Sequence, residues 1–235
     1  MKIITLDRKA LTRMLLVLVG IGLLLALCLS FNNIRYLFIH HRFNGLEEMP
    51  PSPVELIAAE NRITPDFILL GARQEAQNQT RYDGSYQVMA YPGGDVSQDV
   101  GACTDVIIRA YRNAGIDLQK FIHEDMQENF SEYPDKWGLT APDPNIDHRR
   151  IPNQMKFFER NGTMLTTNVE QKTEEWQWGD TVYWKFPNGD EHCGIISDRH
   201  APDGTPLVIH NAGMAVEQDF LQRWKIIGHF RYYGE

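Results

Sequence analysis

A chain of 235 residues, 43% hydrophobic and 11% aromatic, has material for one packed domain plus a short extra segment. Its formal charge is −8, unevenly divided: six basic and three acidic side chains precede Val54, so the first 53 residues carry +3 and the remainder −11. Such an acidic domain, without clustered Lys and Arg to neutralise phosphates, excludes nucleic acid as an expected partner.

The chain opens with a basic stretch over residues 1–13, where Lys2, Arg8, Lys9 and Arg13 precede an uncharged apolar run, Met14 to Phe31. Eighteen such residues are just enough to cross the hydrocarbon core as a helix. The positive charges keep the N-terminus cytoplasmic and send the rest outward. Two readings remain open, an uncleaved anchor and a cleaved signal peptide; Cys28 at the small-residue site Ala26-Leu27-Cys28 suits cleavage poorly. Either way the domain is expected outside the cytoplasmic membrane. Residues 32–53 read as a stalk ending in Met49-Pro50-Pro51-Ser52-Pro53, where proline stiffens the spacer.

Residues 54–235 read as one domain. Helices are predicted over Val54 to Glu60 and Pro65 to Gln77, the second with Thr64 as its N-cap. A turn-rich stretch, Tyr82 to Val100, follows and contains Pro92-Gly93-Gly94-Asp95. Cys103, Val106, Ile107, Ala110, Tyr111 and Ala114 then recur at helical spacing, with Gly115 as a natural stop. Further helices are predicted over Asp117 to Phe130 and Pro152 to Arg160. The period then changes. Asp180–Phe186, His192–Ser197, Pro206–His210 and Ile227–Tyr233 are β-rich, with Asn188-Gly189 and Asp203-Gly204 between them as hairpin signals. Helices first and an antiparallel sheet afterwards make an α+β domain.

Three cysteines, Cys28, Cys103 and Cys193, form no CxxC and no ligand-spaced group with His. Neither a metal site nor a disulfide framework is expected, and nothing asks for a cofactor. Cys103 stands where a helix begins. Unpaired backbone N–H groups and the positive dipole end favour thiolate there, and the same donors can receive an oxyanion. The competing reading is a small buried apolar residue.

A nucleophilic Cys needs a base, and the base an orienting group. His192 opens one strand and His210 closes the next, so two antiparallel neighbours bring both imidazoles to one sheet face. Cys193 must point the other way and reads as core filler, with a disulfide to Cys103 as its rival. Asp105 favours the helix dipole or faces substrate. Arg149, in the run Asp147-His148-Arg149-Arg150, is a fork for a substrate carboxylate or part of an ion-paired loop.

At these residues the sequence resembles the NlpC-type cell-wall cysteine peptidases, a branch of the papain-like superfamily. Tyr91-Pro92-Gly93-Gly94, Cys103-Thr104-Asp105, Gly179-Asp180, His192-Cys193-Gly194-Ile195 and Ile209-His210 follow the order of that family's motifs. Asp105 stands where those relatives carry glycine. More closely, Tyr82 to Tyr233 resembles a bacterial family catalogued as domain of unknown function 1287, with ACTDVIIRAYR, NIDHRRIPN, HCGIISD and VIHNAG as the matching segments.

The resemblance implies a papain-like fold with the Cys helix packed on an antiparallel sheet, behind one transmembrane helix. It implies Cys103, His192 and His210 as catalytic residues. Tyr91, Asp105, Asn211 and Arg149 become candidates for binding the oxyanion or the substrate. The expected activity is an exported cysteine hydrolase that cleaves amide bonds in peptidoglycan stem peptides through an acyl-enzyme. Acyl transfer by the same thiol and a non-catalytic wall-binding module are the alternatives. The expected place is the bacterial inner membrane, single-pass through residues 14–31, with the domain in the periplasm or cell exterior, or secreted after cleavage.

Overall fold

The computed structural model describes residues 49–170 and 173–234. The basic N-terminus, the expected membrane span over residues 14–31 and the stalk up to residue 48 lie outside the described residues. Among the described residues, no helix is long and apolar enough to cross a membrane.

The predicted helix over Val54 to Glu60 is instead two single 3-10 turns, Val54–Leu56 and Ala59–Asn61. Ile57 and Ala58, with ψ of 126° and 140°, leave the helical region and separate them. Helix α1, Thr64–Asn78, starts one residue earlier than predicted: Ile63 occupies the N-cap and Thr64 is already helical. Asp66 supplies the capping carboxylate, accepting from the Ile63 N–H at 2.9 Å. Ile68, Leu69 and Ala72 are its fully buried stripe.

Helix α2, Cys103–Asn113, is buried from Cys103 through Tyr111. A helix sunk this deep must pair its charges, and Arg109 does so with Glu75 at 2.7 Å and Asp95 at 3.0 Å. Gly71 of α1 lets the two helices cross closely: a Cβ there would stand 2.6 Å from Asn113 Cβ and 2.9 Å from Ala110 Cα. Gly115, at φ +81°, ends the segment as expected. Helix α3, Leu118–Asn129, is capped by the Asp117 carboxylate. Helix α4, Ile151–Asn161, begins with proline in its first turn.

Two short strands, β1 (Arg81–Tyr82) and β2 (Val100–Gly101), pair in parallel at either end of the turn-rich stretch. The main sheet contains β3 (Thr163–Met164), β4 (Thr181–Lys185), β5 (Glu191–His200), β6 (Pro206–Asn211), β7 (Ala215–Gln218) and β8 (Lys225–Arg231). Among the described residues its order is β3-β8-β4-β5-β6-β7, antiparallel throughout. The molecule is therefore a mixed α+β protein. Strand β7 has no counterpart among the predicted elements.

The helices cover one face of this sheet. Their core joins Ile68, Ile107, Ile108 and Tyr111 to Tyr183, Cys193, Ile195 and Ile209. On the other face Trp184, Ile196 and Val208 pack under Trp176, Phe220 and Leu221. A fully buried aromatic removes about 150–250 Å² from water, so Trp184 and Tyr183 anchor their respective layers. The start of the unit is tied down too. Ser52 Oγ and the Val54 N–H both donate to the Asp198 carboxylate, at 2.6 and 2.8 Å, and Arg73 meets the same group at 2.6 Å.

Candidate active site

Cys103 is the first residue of α2, with extended Ala102 as its N-cap. Asp105 fixes this start by reaching back to the Ala102 N–H at 2.6 Å. The residue is 5% exposed, lines the same cleft as His192, and interacts electrostatically with two consecutive side chains of β5, Cys193 and His192. The Cys193 thiol's hydrogen bond is the largest influence holding the Cys103 pKa well below the ordinary thiol value; burial opposes it, and the charge and hydrogen bond of His192 reinforce it. The Cys193 thiol moves in the opposite direction, pushed up by its own burial and then by Cys103.

Strand alternation holds at this point. Cys193 faces the helix layer, fully buried in the same cluster as Cys103, while His192 lies among Trp184, Phe186 and Phe220. Cys193 is core filler as expected, yet it also touches the nucleophile candidate. Both thiols are free.

His192 leads into a chain of polar contacts across three strands. Its Nε2 lies 2.9 Å from His210 Nδ1, and His210 Nε2 lies 2.8 Å from Gln218 Nε2. Register explains the reach: Gly194 pairs with His210, and Val208 pairs with Gln218, so each side chain is the diagonal neighbour of the next. Gly194 makes room for the first contact, because a Cβ there would stand 3.1 Å from His210 Cβ and 2.7 Å from Ile209 O. Burial, then the charges of His192 and Arg223, hold the His210 pKa well below the usual imidazole value. His210 therefore acts as a neutral partner.

The remaining candidates fall elsewhere. Arg149 contributes to the cleft wall, but its guanidinium is already committed. Nε and Nη2 hold the Asp105 carboxylate at 2.9 and 2.8 Å, and Nη1 and Nη2 donate to the carbonyls of Ser85 and Asp83. With side chains only 1% and 3% exposed, the two charges are spent on each other and not on open solvent. Asp105 thus pins the Arg149 loop to the helix start, helped by the Thr104 hydroxyl on Arg149 O. Asn211 is buried and spends its amide on backbone, donating to Thr80 O and Gly101 O and accepting from the Gly213 N–H. It holds the approach to Cys103 in place and has no donor left for an oxyanion. Tyr91 stacks edge-on against His123, 4.8 Å between centroids, and does not line the cleft that holds Cys103.

That cleft, about 620 Å³, is lined by Cys103, His192, Tyr82, Trp137, Arg150 and the acidic pair Asp190 and Glu191, among others. Tyr82, and not Tyr91, lines the cleft beside Cys103. Its pKa is pushed up to about 12 by burial and by the neighbouring Cys103 and Cys193, so it stays a phenol able to donate. Arg150 lines the cleft too, stacked 3.9 Å over the Trp137 ring and paired with Asp147 at 2.9 Å. Tyr82 stands at the head of the turn-rich stretch, with no local signal separating it from Tyr91. Gln218 lies on the unpredicted strand.

Fold and site together define an α+β protein with a thiol–imidazole centre at a helix start. The chain belongs to the family described as Domain of unknown function (DUF1287), whose model matches residues 69–232. It is 47% identical over 186 residues to the uncharacterized protein YijF of Escherichia coli (strain K12), covering 79% of this chain and 88% of that protein. No solved structure matches.

Proposed function

We propose that this protein is an exported cysteine hydrolase of papain-like kind that cleaves amide bonds in peptidoglycan stem peptides. One observation carries the reading: a buried thiol at a helix N-terminus lines one cleft with an imidazole whose Nε2 rests on a second imidazole. Hydrolysis of an amide needs those three parts in that order.

The Cys103 thiolate attacks the amide carbonyl carbon. The oxyanion is received by the unpaired N–H groups of the first turn of α2 and by the Tyr82 hydroxyl. The His192 imidazolium protonates the leaving amine, and a thioester remains on Cys103. His192 then takes a proton from water, which attacks the thioester, releasing the carboxylate and restoring the thiol. Asp190, Glu191 and Arg150 in one cleft suit a short peptide that carries both an ammonium and a carboxylate. The basic head and apolar run of residues 1–31 support placement at the inner membrane with the domain outside the cytoplasm.

Digestion of purified peptidoglycan by the full-length chain, with products identified by mass spectrometry, tests the reading. New paired amine and carboxyl ends that vanish with Cys103→Ala are expected. Products joined to an added amine acceptor instead of water would make the enzyme an acyltransferase. Binding to the wall without any covalent product would reduce it to a binding module.

A further inference from the structure

The polar chain from His192 does not stop at His210, and its last member decides whether Cys103 can react. Gln218 is buried, 7% exposed, and in the structure its carboxamide nitrogen faces His210 Nε2 at 2.8 Å. An amide nitrogen donates, so His210 Nε2 accepts there, and a neutral His210 then carries its proton on Nδ1. That proton points at His192 Nε2, 2.9 Å away, which must accept it. His192 is left with its proton on Nδ1, the ring nitrogen remaining for the thiol. In this arrangement His192 has no lone pair with which to take a proton from Cys103.

The reactive ion pair needs the reverse. An imidazolium at His192 donates from both nitrogens, so His210 Nδ1 must accept and His210 Nε2 must carry the proton. That N–H then requires an acceptor where the amide nitrogen now stands. Half a turn of the carboxamide supplies one, because it exchanges Oε1 for Nε2 at the same place. An orienting group that enforces the wrong imidazole tautomer disables a catalytic base even when the geometry is intact.

We propose that Gln218 is a positioning residue of the site, whose carboxamide oxygen, turned toward His210 Nε2, fixes the His210 tautomer that allows His192 to form an ion pair with Cys103. The inference rests on the hydrolase reading for its meaning in catalysis, but the tautomer and the thiol reactivity exist without substrate. His210 suits the relay because burial and its charged neighbours, His192 and Arg223, oppose protonation, so it passes on orientation and not charge. The register makes the assignment specific: on β7, Val216 lies opposite His210, and Gln218 is the next residue on that face, opposite Val208.

The test uses the full-length chain labelled with 15N-histidine, wild type beside Gln218→Glu and Gln218→Met, read by imidazole 15N–1H spectra and by the rate of Cys103 alkylation with iodoacetamide at pH 6. A carboxylate can only accept and a thioether has no donor, so Gln218→Glu enforces the proposed tautomer and Gln218→Met leaves it unsupported. The wild type and Gln218→Glu are expected to carry the His210 proton on Nε2 and to alkylate within about threefold of one another. Gln218→Met is expected to alkylate about fivefold more slowly, the worth of one neutral hydrogen bond. A reactive wild type with the His210 proton on Nδ1, or a folded Gln218→Met that alkylates at the wild-type rate, overturns the proposal. Should Gln218→Met not fold, the wild-type and Gln218→Glu spectra still decide. An unreactive Cys103 in the wild type sinks the hydrolase reading instead, while the spectra still report which tautomer Gln218 enforces.

Discussion

His192 and His210 meet edge to face, Nε2 to Nδ1 at 2.9 Å, with their ring planes 89° apart. Phe220 packs at 4.1 Å from the His210 ring and 5.8 Å from the His192 ring, so both imidazoles are held by apolar walls as well as by each other. The two therefore have unequal roles. His192→Ala removes both proton transfer and the thiolate's partner, and turnover is expected to fall by at least the 10²–10⁴-fold, roughly, that general acid–base catalysis supplies. His210→Asn or His210→Gln keeps a group able to hold the imidazole and leaves measurable turnover, with His210→Ala between. Kinetics on one muropeptide check the order; a His210→Ala enzyme as fast as wild type would remove His210 from the site.

Gly194 tests the same contact from beneath. Gly194→Ala puts a methyl 2.7 Å from Ile209 O and 2.8 Å from Val208 Cγ1, beside His210 Cβ. Overpacking of this kind costs about 1–3 kcal/mol, and the shift it forces falls on the strand that carries His210. A lowered Tm together with lowered kcat is expected. Unchanged kcat in a destabilised variant would mean that β5 and β6 separate without disturbing the imidazole pair.

Asp105 and Arg149 are expected to act on stability. Removing either side chain alone leaves a buried charge unpaired, a loss of about 3–5 kcal/mol, whereas removing both costs less than the sum. Denaturant unfolding of the two single variants and the double variant measures this. If Arg149→Ala kept its stability and raised only KM for acidic peptides, Arg149 would be a substrate contact after all.

Stability should also depend on pH through buried imidazoles. Burial, aided by Arg149 and Arg112, pushes the His148 pKa down to about 3, and His210 also lies far below the usual value. An unfolded imidazole takes up its proton near pH 6.5, roughly, so below that pH the unfolded state binds more protons than the folded one. Stability is then lost as pH falls from about 6.5, at up to about 1.4 kcal/mol per unit for each such histidine. Carboxylates held below their ordinary values, such as Asp198, lose their contribution only under about pH 4, outside this window. Melting curves of the full-length chain between pH 6.5 and 5 should show the slope, reduced in His148→Gln; an identical slope in that variant would show His148 protonating freely when folded.

What the sequence made legible was local. The apolar spacing from Cys103 to Ala114 and the stop at Gly115 define a helix start without any tertiary information, and two glycine-containing turns set β4, β5 and β6 in register. Those elements carry Cys103, His192 and His210. The rest depended on contacts between distant residues. Arg149 and Asp105 are 44 positions apart, and nothing local in the sequence pairs them. Tyr82 and Tyr91 sit in one irregular segment, and what turns each is remote: Arg149 on the Asp83 and Ser85 carbonyls, His123 against Tyr91. Strand β7 has four residues with mixed burial, too short to show a period, so Gln218 was hidden with it.

The central claim is that Cys103 is an activated thiol, and alkylation across pH reads that directly. Full-length chain treated with iodoacetamide from pH 5 to 9, with the modified cysteine mapped by mass spectrometry, should show Cys103 labelled at pH 6 while Cys193 is spared. The Cys103 rate should level off well below the ordinary thiol pKa of about 8.5 and should lose that plateau in His192→Ala. A Cys103 rate that climbs only around pH 8.5, or that matches Cys193 at pH 6, would contradict the account.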